Sequence, residues 1–424
     1  MYPRLHFLLP VVSGCVFIYS TLQGQRIISG IISDKATGEP LEFAAIRCKN
    51  HPAGTISNEK GEFDFLMPGA AQNDSLVFSY LGYESKVIPA DSIRHLVFIE
   101  LESKPISLPE ISIRPVPPTY YIRMALRNSN KNYPDKPFRS IGYYRENLME
   151  NNNFVSDNDA VFASYFPGYP DTARNQHQLL LFRKGDATHK ITFMAGKIKI
   201  ENESRKTKEK RDGKEKEQEL TNEINVLLGG PETVIGMDFL KDKELFLDTN
   251  KFHKFIYSYS GTSVYMDRHL MVIGFESKGV AEHARQKGEI YIDAASFAIV
   301  SVEYSAELII PVLVQPLLFL WGVSVENLSF KKKLKYYETR GKWYPDDFYF
   351  RGAAALTKRH WFKRNEHSDF LIEENFVINE IKTEDIFPIR EEKRFIADKK
   401  PDGQVYNDDR ITWTDVNVIK KTGP

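Results

Sequence analysis

The sequence contains few of the residues that disulfide or metal chemistry requires. Its 424 residues include 2 cysteines and 10 histidines. No histidine begins an H-E-x-x-H or H-x-x-E motif, so zinc-peptidase chemistry has no support. If an N-terminal segment containing Cys15 is removed, Cys48 alone remains and no internal disulfide can form. We therefore predict a chain that folds by core burial, without a metal or cofactor, and with Cys48 as a buried strand residue.

The sequence also lacks an excess of either charge. Lys+Arg and Asp+Glu both number 57, which argues against nucleic acid as a partner. The G-x-S-x-G, Walker A and G-x-G-x-x-G motifs are absent, so we predict a protein that is not an enzyme. Two adjacent charged pairs, Arg145-Glu146 and Asp267-Arg268, are interpreted as ion pairs at strand rims rather than as a catalytic site.

No internal apolar run reaches the roughly 18–20 residues that a membrane-spanning helix usually needs. Residues 308–323 form the most apolar run, but Pro311 and Pro316 interrupt it. A buried strand pair or packed loop, a lipid- or membrane-facing loop, and a span are the three interpretations. Under the second interpretation, the candidate contact residues are Leu308, Ile309, Ile310, Val312, Leu313, Leu317, Leu318, Phe319, Leu320 and Trp321.

The N-terminus has the pattern of an export signal. Arg4 is followed by a mostly apolar stretch from Leu5 to Tyr19, and we predict a signal peptide over 1–24 with cleavage after Gly24. A lipobox-like Val12 to Cys15 is the alternative, with Cys15 lipidated. Both predict an exported protein, in the periplasm or at the outer-membrane periphery, and associated with a membrane at most peripherally.

Residues 25–113 have the pattern of a β-sandwich. The chain is rich in strand-forming aromatics, with 28 Phe and 21 Tyr. Turn chemistry at Asp34 to Pro40 predicts one hairpin, and Asn58 to Gly61 predicts a second. Five or more short strands in fewer than 90 residues favour a sandwich.

Several residues of this segment form a recognisable motif: Gly30, Asp34, Thr37 to Leu41, Phe43, Ala44, Gly54, Thr55, Asn58, Gly61 to Phe63 and Ser79 to Tyr83. The motif resembles that of the carboxypeptidase-regulatory-like domain of Bacteroidetes envelope proteins. The resemblance implies a seven-stranded, transthyretin-like sandwich that serves as an accessory module, without peptidase activity.

The remaining chain predicts a second β-rich module. Residues 114–132 are read as a Pro-rich linker and a short helix capped by Thr119, and 133–424 as long antiparallel strands. Strand–turn–strand patterns are centred on Gly261, Asp293 to Ser296, and Gly341. The charged segment 201–219 is read as a solvated loop.

Four segments of this module carry a further resemblance: Asn132 to Glu146, Leu228 to Pro231, Gly288 to Ser305 and Trp413 to Ile419. They resemble segments of uncharacterised Bacteroidetes proteins that carry the same regulatory domain, and the whole chain is identified as a member of that family. The Gly288 to Ser305 hairpin is also similar to those of LolA/LolB-like lipoprotein carriers, which implies a curved sheet or half-barrel with a concave apolar surface. We therefore expect a non-enzymatic envelope protein that binds a lipid or an outer-membrane protein partner. The alternatives are an assembly scaffold and, with least support, an envelope hydrolase.

Overall fold

The protein is mainly β and consists of a small sandwich and one large open sheet. The computed structural model describes residues 26–104, 116–193 and 230–421, apart from residues 52, 72, 94, 95, 237, 242, 313, 361, 363, 398 and 409. The predicted signal segment 1–24 and the charged segment 201–219 lie outside the described residues.

Seven strands in two sheets form the N-terminal sandwich, as the resemblance implied. One sheet has the order β4-β1-β7 and the other β3-β2-β5-β6. Their facing sides bury an apolar core that includes Ile32, Phe63, Phe78 and Cys48, so the predicted placement of Cys48 is confirmed. The strands are β1 (Arg26–Asp34), β2 (Ala45–Cys48), β3 (Gly54–Ile56), β4 (Glu62–Met67), β5 (Ser75–Ser79), β6 (Lys86–Pro89) and β7 (Val97–Leu101).

The two predicted hairpins of the sandwich are wrong, although their turns form. β1 pairs with β4 and β7, whereas β2 pairs with β3 and β5, so each predicted hairpin is a corner between the two sheets. At the second corner, the side-chain oxygen of Asn58 accepts hydrogen bonds from the backbone amides of Lys60 and Glu62, both at 2.9 Å. Local turn chemistry can stabilise a chain reversal without specifying which strand becomes the neighbour.

A helical segment leads into the large sheet. Helix α1 (Pro118–Arg127) buries Ile122 and Ala125, and α2 (Ser129–Asn132) follows it. The predicted cap is wrong, because Pro117 occupies the N-cap position and Thr119 lies in the first turn. Pro118 is suited to this start because the first helical residue needs no amide donor.

Ten antiparallel strands form the large sheet, in the order β10-β9-β8-β17-β16-β15-β14-β13-β12-β11. The sheet is open, with β10 and β11 at its edges. The backbone amides of Phe395 and Tyr406 donate to carbonyls of β10, which covers part of that edge. The strands are β8 (Phe138–Glu150), β9 (Asn153–Phe166), β10 (Gln176–Lys184), β11 (Phe255–Tyr265), β12 (Arg268–Ser277), β13 (Ala284–Asp293), β14 (Ile299–Leu308), β15 (Val323–Thr339), β16 (Lys342–Lys358) and β17 (Glu366–Lys382).

Short turns connect most of these strands. The predicted turn at Gly341 is confirmed, with φ values of 53° at Arg340 and 74° at Gly341. The predicted turn at Gly261 is wrong, because that residue is a bulge within β11. The reversal lies at Met266 and Asp267, with φ values of 47° and 60°. Two consecutive positive φ values are typical of the type I′ hairpin turn.

The inner face of the large sheet carries the main core. Side chains from nearly every strand pack there against α1, α3 (Pro231–Ile235) and the 3₁₀ turn Leu245–Leu247. Aromatic rings dominate this core, and the rings of Phe246 and Phe275 stack with centroids 4.0 Å apart. The inner face is therefore already occupied by the chain's own helices and turns.

The sandwich docks on the outer face of the large sheet, where a buried ion pair joins the two modules. Arg47 of β2 pairs with Asp346, and the side chains are 6% and 1% exposed. Beside them, Lys335 Nζ lies 2.6 Å from Asp347 Oδ2. A bulge between β15 and β16 lies at these two aspartates, and it allows both to face the sandwich. Asn379 Nδ2 also donates to the Gly54 carbonyl at 3.1 Å.

The C-terminal segment 411–421 packs between the two modules. Asn417 is hydrogen-bonded to both the amide and the carbonyl of Leu66 in the sandwich. Arg145 of β8 donates to the Ile419 carbonyl at 2.9 Å. The segment therefore joins the sandwich to the sheet, on the same outer face as the ion pairs.

Candidate functional site

The connections at one end of the large sheet contain the apolar run singled out from the sequence. Residues 309–322 connect β14 to β15, and residues 359–365 connect β16 to β17. The two connections lie side by side, because the Arg359 amide donates to the Gly322 carbonyl at 2.7 Å and Lys358 Nζ donates to the Trp321 carbonyl. The turn between β12 and β13 is also adjacent, since the Ile309 amide donates to the His283 carbonyl at 2.7 Å.

The apolar run is exposed and partly helical, rather than a buried strand pair. A short helix, α4 (Gln315–Leu320), contains Pro316 in its first turn, where proline is tolerated. Gly322 ends the segment with a φ of 65°, and its amide donates to the Phe319 carbonyl at 2.9 Å. The interpretation of this run as a buried strand pair is therefore wrong.

The predicted contact residues differ in their exposure. Phe319 and Leu320 are 75% and 79% exposed, and Val312 and Trp321 are 77% and 59% exposed. Leu308 is exposed too, whereas Ile309, Ile310 and Leu318 are half-buried. Leu313 and the side chain of Leu317 lie outside the described residues. The structure thus brings most of the predicted set to one solvent-facing end.

The neighbouring connection adds a basic and aromatic component that the sequence analysis missed. Phe362 is 99% exposed. Arg359 and Arg364 are exposed as well. The available signal was the pair of aromatic residues flanked by basic residues in Lys358 to Arg364. We call Val312, Val314, Phe319, Leu320, Trp321 and Phe362 the apolar tip.

The pocket that the described residues form on the inner face is much smaller than the apolar cavity that a lipid carrier needs. The pocket between Val234, Phe239, Leu334 and Phe348 has a volume of about 10 Å³. One water molecule needs roughly 10–15 Å³, and ligand sites usually have about 300–1,000 Å³. The expected concave acyl-chain surface is therefore filled in the described part of the chain.

Larger grooves lie on the outer face, and their walls include several charged side chains. Two grooves of about 570 and 650 Å³ adjoin each other along β11 to β16. Cross-strand pairing places Glu276, Lys287, Ser305, Lys331 and Arg351 in one row along them. The row contains one acid, one serine and three bases, and polar side chains of this kind are expected on the solvated face of an antiparallel sheet.

One hydrogen-bonded chain has the connectivity of a catalytic triad. Ser164 Oγ lies 2.8 Å from His177 Nδ1, and His177 Nε2 lies 2.9 Å from Glu232 Oε2. The Ser164 side chain is fully buried, and none of the grooves above includes it. A nucleophile must reach its substrate, so the role that this geometry supports is the attachment of α3 to the sheet.

A second polar cluster lies on the inner face. Glu146 and Glu374 are opposite each other on β8 and β17, and both are fully buried. The Tyr144 hydroxyl lies 2.9 Å from Glu146 Oε2 and 3.2 Å from Glu374 Oε1. Burial and the neighbouring charge of Glu146 raise the pKa of Glu374 well above its usual value, although the Tyr144 hydrogen bond opposes this.

The predicted ion pairs between sequence neighbours are wrong. Arg145 points to the outer face and lies 3.0 Å from Asp159, whereas Glu146 points inward. Arg268 likewise pairs with Asp293 and Glu338 rather than with Asp267. Arg145 and Glu146 are adjacent on β8 and therefore face opposite sides of the sheet. Asp267 lies in the turn before β12, whereas Arg268 is the first residue of that strand. No cluster of three or more potential metal ligands occurs among the residues that the structure describes.

Comparison with known proteins confirms the assignment of the sandwich. Residues 28–113 match the model of the CarboxypepD_reg-like domain. This match covers the sandwich and not the large sheet. No curated protein matches the chain. Within the described residues, none of the helices is both long and apolar enough to cross a membrane.

Three solved structures are distantly similar to the chain. One, described as an outer membrane lipoprotein-sorting protein domain from Vibrio parahaemolyticus, has 9% identity and a TM-score of 0.25, and covers 64% of this chain and 94% of its own. A DUF1329 family protein from Desulfovibrio piger has 8% identity and a TM-score of 0.22, with 64% and 95% covered. A membrane-associated protein of unknown function from Bacteroides fragilis has 9% identity and a TM-score of 0.15, with 85% and 99% covered. At these values, nothing about what those proteins bind is transferred to this chain.

Proposed function

We propose that this chain is a non-enzymatic protein of the cell envelope that docks peripherally on a lipid bilayer through the apolar tip. The single observation that carries the proposal is the exposure of this tip at one end of the large sheet. Its members on α4 and the following turn, Phe319, Leu320 and Trp321, are each more than half exposed. Contiguous exposed apolar groups of this kind mark interaction sites on soluble surfaces.

Among the residues that the structure describes, the sandwich leaves this end uncovered. The contacts of Arg47 and Gly54 in the sandwich with Asp346 and Asn379 of the sheet lie near the opposite end, where β15 turns into β16 and β17 finishes. A buried charge pair such as Arg47–Asp346 needs precise geometry, so we expect it to hold the sandwich in one orientation on the sheet. The sandwich thus acts as a spacer that keeps clear of the bilayer.

The expected binding strength is that of a reversible peripheral contact. Full burial of a Leu or Phe side chain contributes about 1.5–3 kcal/mol. The four most exposed members of the tip, Val312, Phe319, Leu320 and Phe362, would therefore contribute roughly 6–12 kcal/mol before the cost of association. This range is comparable with one lipid chain, which anchors a protein only marginally. Trp321 adds a residue that prefers the bilayer–water interface.

The filled inner face favours docking on a membrane surface over carrying a lipid inside the fold. The same observation favours the second candidate, a scaffold that binds no small ligand. If the protein is such a scaffold, the apolar tip should contact another protein, and the isolated chain should not bind vesicles.

Vesicle flotation with the chain from Gln25 onward tests the proposal. We expect the native protein to float with vesicles of phosphatidylcholine and phosphatidylglycerol, and the triple variant Phe319→Ser, Leu320→Ser, Trp321→Ser to stay in solution. Phe387→Ser is the matched control, because Phe387 is 69% exposed but follows β17 at the other end of the sheet.

Two results would contradict membrane docking. One is a native protein that binds no vesicles, and the other is an equal loss of flotation in the triple variant and in the Phe387 control. Far-ultraviolet circular dichroism of each variant shows whether the fold is retained. Because the substituted side chains face solvent, we expect the folds to be unchanged.

A further inference from the structure

Basic side chains surround the apolar tip without being neutralised by acids. Arg359 and Arg364 are exposed, and neither makes an ion pair among the described residues. Lys358 Nζ donates to the Trp321 carbonyl, a neutral acceptor, so its charge is also not compensated. Lys278, in the adjacent turn between β12 and β13, has no acidic partner in the described part of the chain either.

The acids of the same connections are mostly occupied. Glu366 Oε1 lies 2.8 Å from His360 Nε2. In the neighbouring turn, Glu282 Oε1 lies 3.3 Å from Lys254 Nζ. Glu307, near the end of β14, faces Arg285 at 3.8 Å. Glu326 is exposed and has no ion pair among the described residues. Asp369, at the same level on β17, is also exposed, and its partner is His367 at 3.4 Å. Even when Glu326, Asp369 and Glu366 are all counted as negative, the four bases Lys278, Lys358, Arg359 and Arg364 outnumber them. The net charge of the described residues at this end is therefore positive, although the whole chain has equal numbers of acidic and basic residues.

We propose that this end of the sheet selects bilayers that contain anionic lipids, with Arg359 and Arg364 binding the lipid phosphates. The inference deepens the membrane docking proposed above and depends on it. The two arginines flank Phe362 in one connection, so insertion of that ring brings both guanidinium groups to the depth of the headgroups. Guanidinium groups bind phosphate oxygens through two parallel hydrogen bonds, which suits arginine to this role.

The two components of the surface act together. An apolar contribution equal to one acyl chain gives weak binding, and stable attachment needs a second signal such as a basic patch. Each arginine near an anionic bilayer strengthens partitioning by about fivefold, so the pair contributes about thirtyfold. The electrostatic contribution to membrane binding should be lost in 1 M salt, because the screening length is then only about 3 Å. The apolar contribution should remain.

The experiment compares two vesicle compositions for the chain from Gln25 onward. Partition constants are measured with pure phosphatidylcholine vesicles and with vesicles that also contain phosphatidylglycerol. We expect the native protein to bind the anionic vesicles more tightly. In the double variant Arg359→Gln, Arg364→Gln, the partition constant should fall about thirtyfold for the anionic vesicles and stay unchanged for pure phosphatidylcholine. Arg390→Gln is the matched control, because Arg390 is exposed but follows β17 at the opposite end.

The possible results separate the two proposals. Equal binding of the native protein to both vesicle types would overturn anionic selection and leave membrane docking intact. Absence of binding to either type would overturn both. If the double glutamine variant lost binding to both compositions equally, the arginines would be acting through the fold and not through charge. Arg359→Lys with Arg364→Lys should retain most of the preference, because the charge is kept.

Discussion

Replacing Glu374 by glutamine should stabilise the folded protein at neutral pH. Glu374 and Glu146 are fully buried opposite each other, and Tyr144 lies between them. Its hydroxyl has one proton and can donate to only one carboxylate at a time. Oε2 of Glu374 has no hydrogen-bond partner among the described residues. The neutral form of Glu374 is therefore the form that the folded state favours.

The sign of the pH dependence follows from the raised pKa of Glu374. A group whose pKa is higher in the folded state contributes its full stability below its unfolded pKa, here near 4.5, and loses it as the pH rises toward the folded pKa. Because one proton is involved, the native protein should lose about 1.4 kcal/mol of unfolding free energy per pH unit in this window. Glutamine is neutral at every pH and removes this loss.

The assay is urea unfolding from pH 4.5 to pH 8. Glu374→Gln should unfold at nearly the native midpoint at the acidic end, and it should gain about 1.4 kcal/mol relative to the native protein per pH unit above it. Glu384→Gln, at an exposed site, is the control and should run parallel to the native protein. Tyr144→Phe removes the donor and should make the native loss extend to higher pH. Parallel pH profiles of unfolding free energy for Glu374→Gln and the native protein would refute the conclusion that the folded state favours neutral Glu374.

Two further predictions concern stability. Arg47→Met leaves Asp346 buried without its partner, so it should cost about 3–5 kcal/mol in denaturant unfolding and should expose the sandwich–sheet junction to proteolysis. The matched variant Lys35→Met removes an exposed ion pair with Glu102 and should leave the unfolding midpoint close to that of the native protein. Equal destabilisation by the two variants would contradict the burial argument. Asp267 has a φ of 60° in a type I′ turn. Asp267→Gly should therefore raise the free energy of unfolding by about 0.5 kcal/mol, and Asp267→Val should lower it by at least about 1 kcal/mol. If thermal melts showed no effect of valine, the turn would not be strained.

Much of the architecture could be predicted because its signals are local. The sandwich motif, the Gly341 turn and the buried positions Ile122 and Ala125 of α1 are all encoded within a few residues. The pairing of β1 with β4 and β7 could not be predicted, because a turn determines where the chain reverses and not which strand lies beside it. The predicted turn at Gly261 failed for a related reason, since glycine serves both turns and bulges.

The candidate site was predictable in part. The apolar run was visible in the sequence, but hydrophobicity alone does not distinguish a buried segment from an exposed one. Exposure at Phe319 and Leu320 depends on where the ends of β14 and β15 lie relative to the sandwich. The basic residues at Arg359 and Arg364 join them only because β16 pairs with β15, which brings together positions about 40 residues apart in the chain.

The sequence by itself determined a β-rich chain, a regulatory-like sandwich, the turn positions that depend on asparagine, glycine or aspartate, and the presence of an apolar run. Only the tertiary structure decided which face each charge occupies. A bulge directs Asp346 and Asp347 toward the sandwich, and strand alternation sends Arg145 outward while Glu146 is buried. Each of these outcomes depends on the register between distant strands, and a shift of one residue would reverse them.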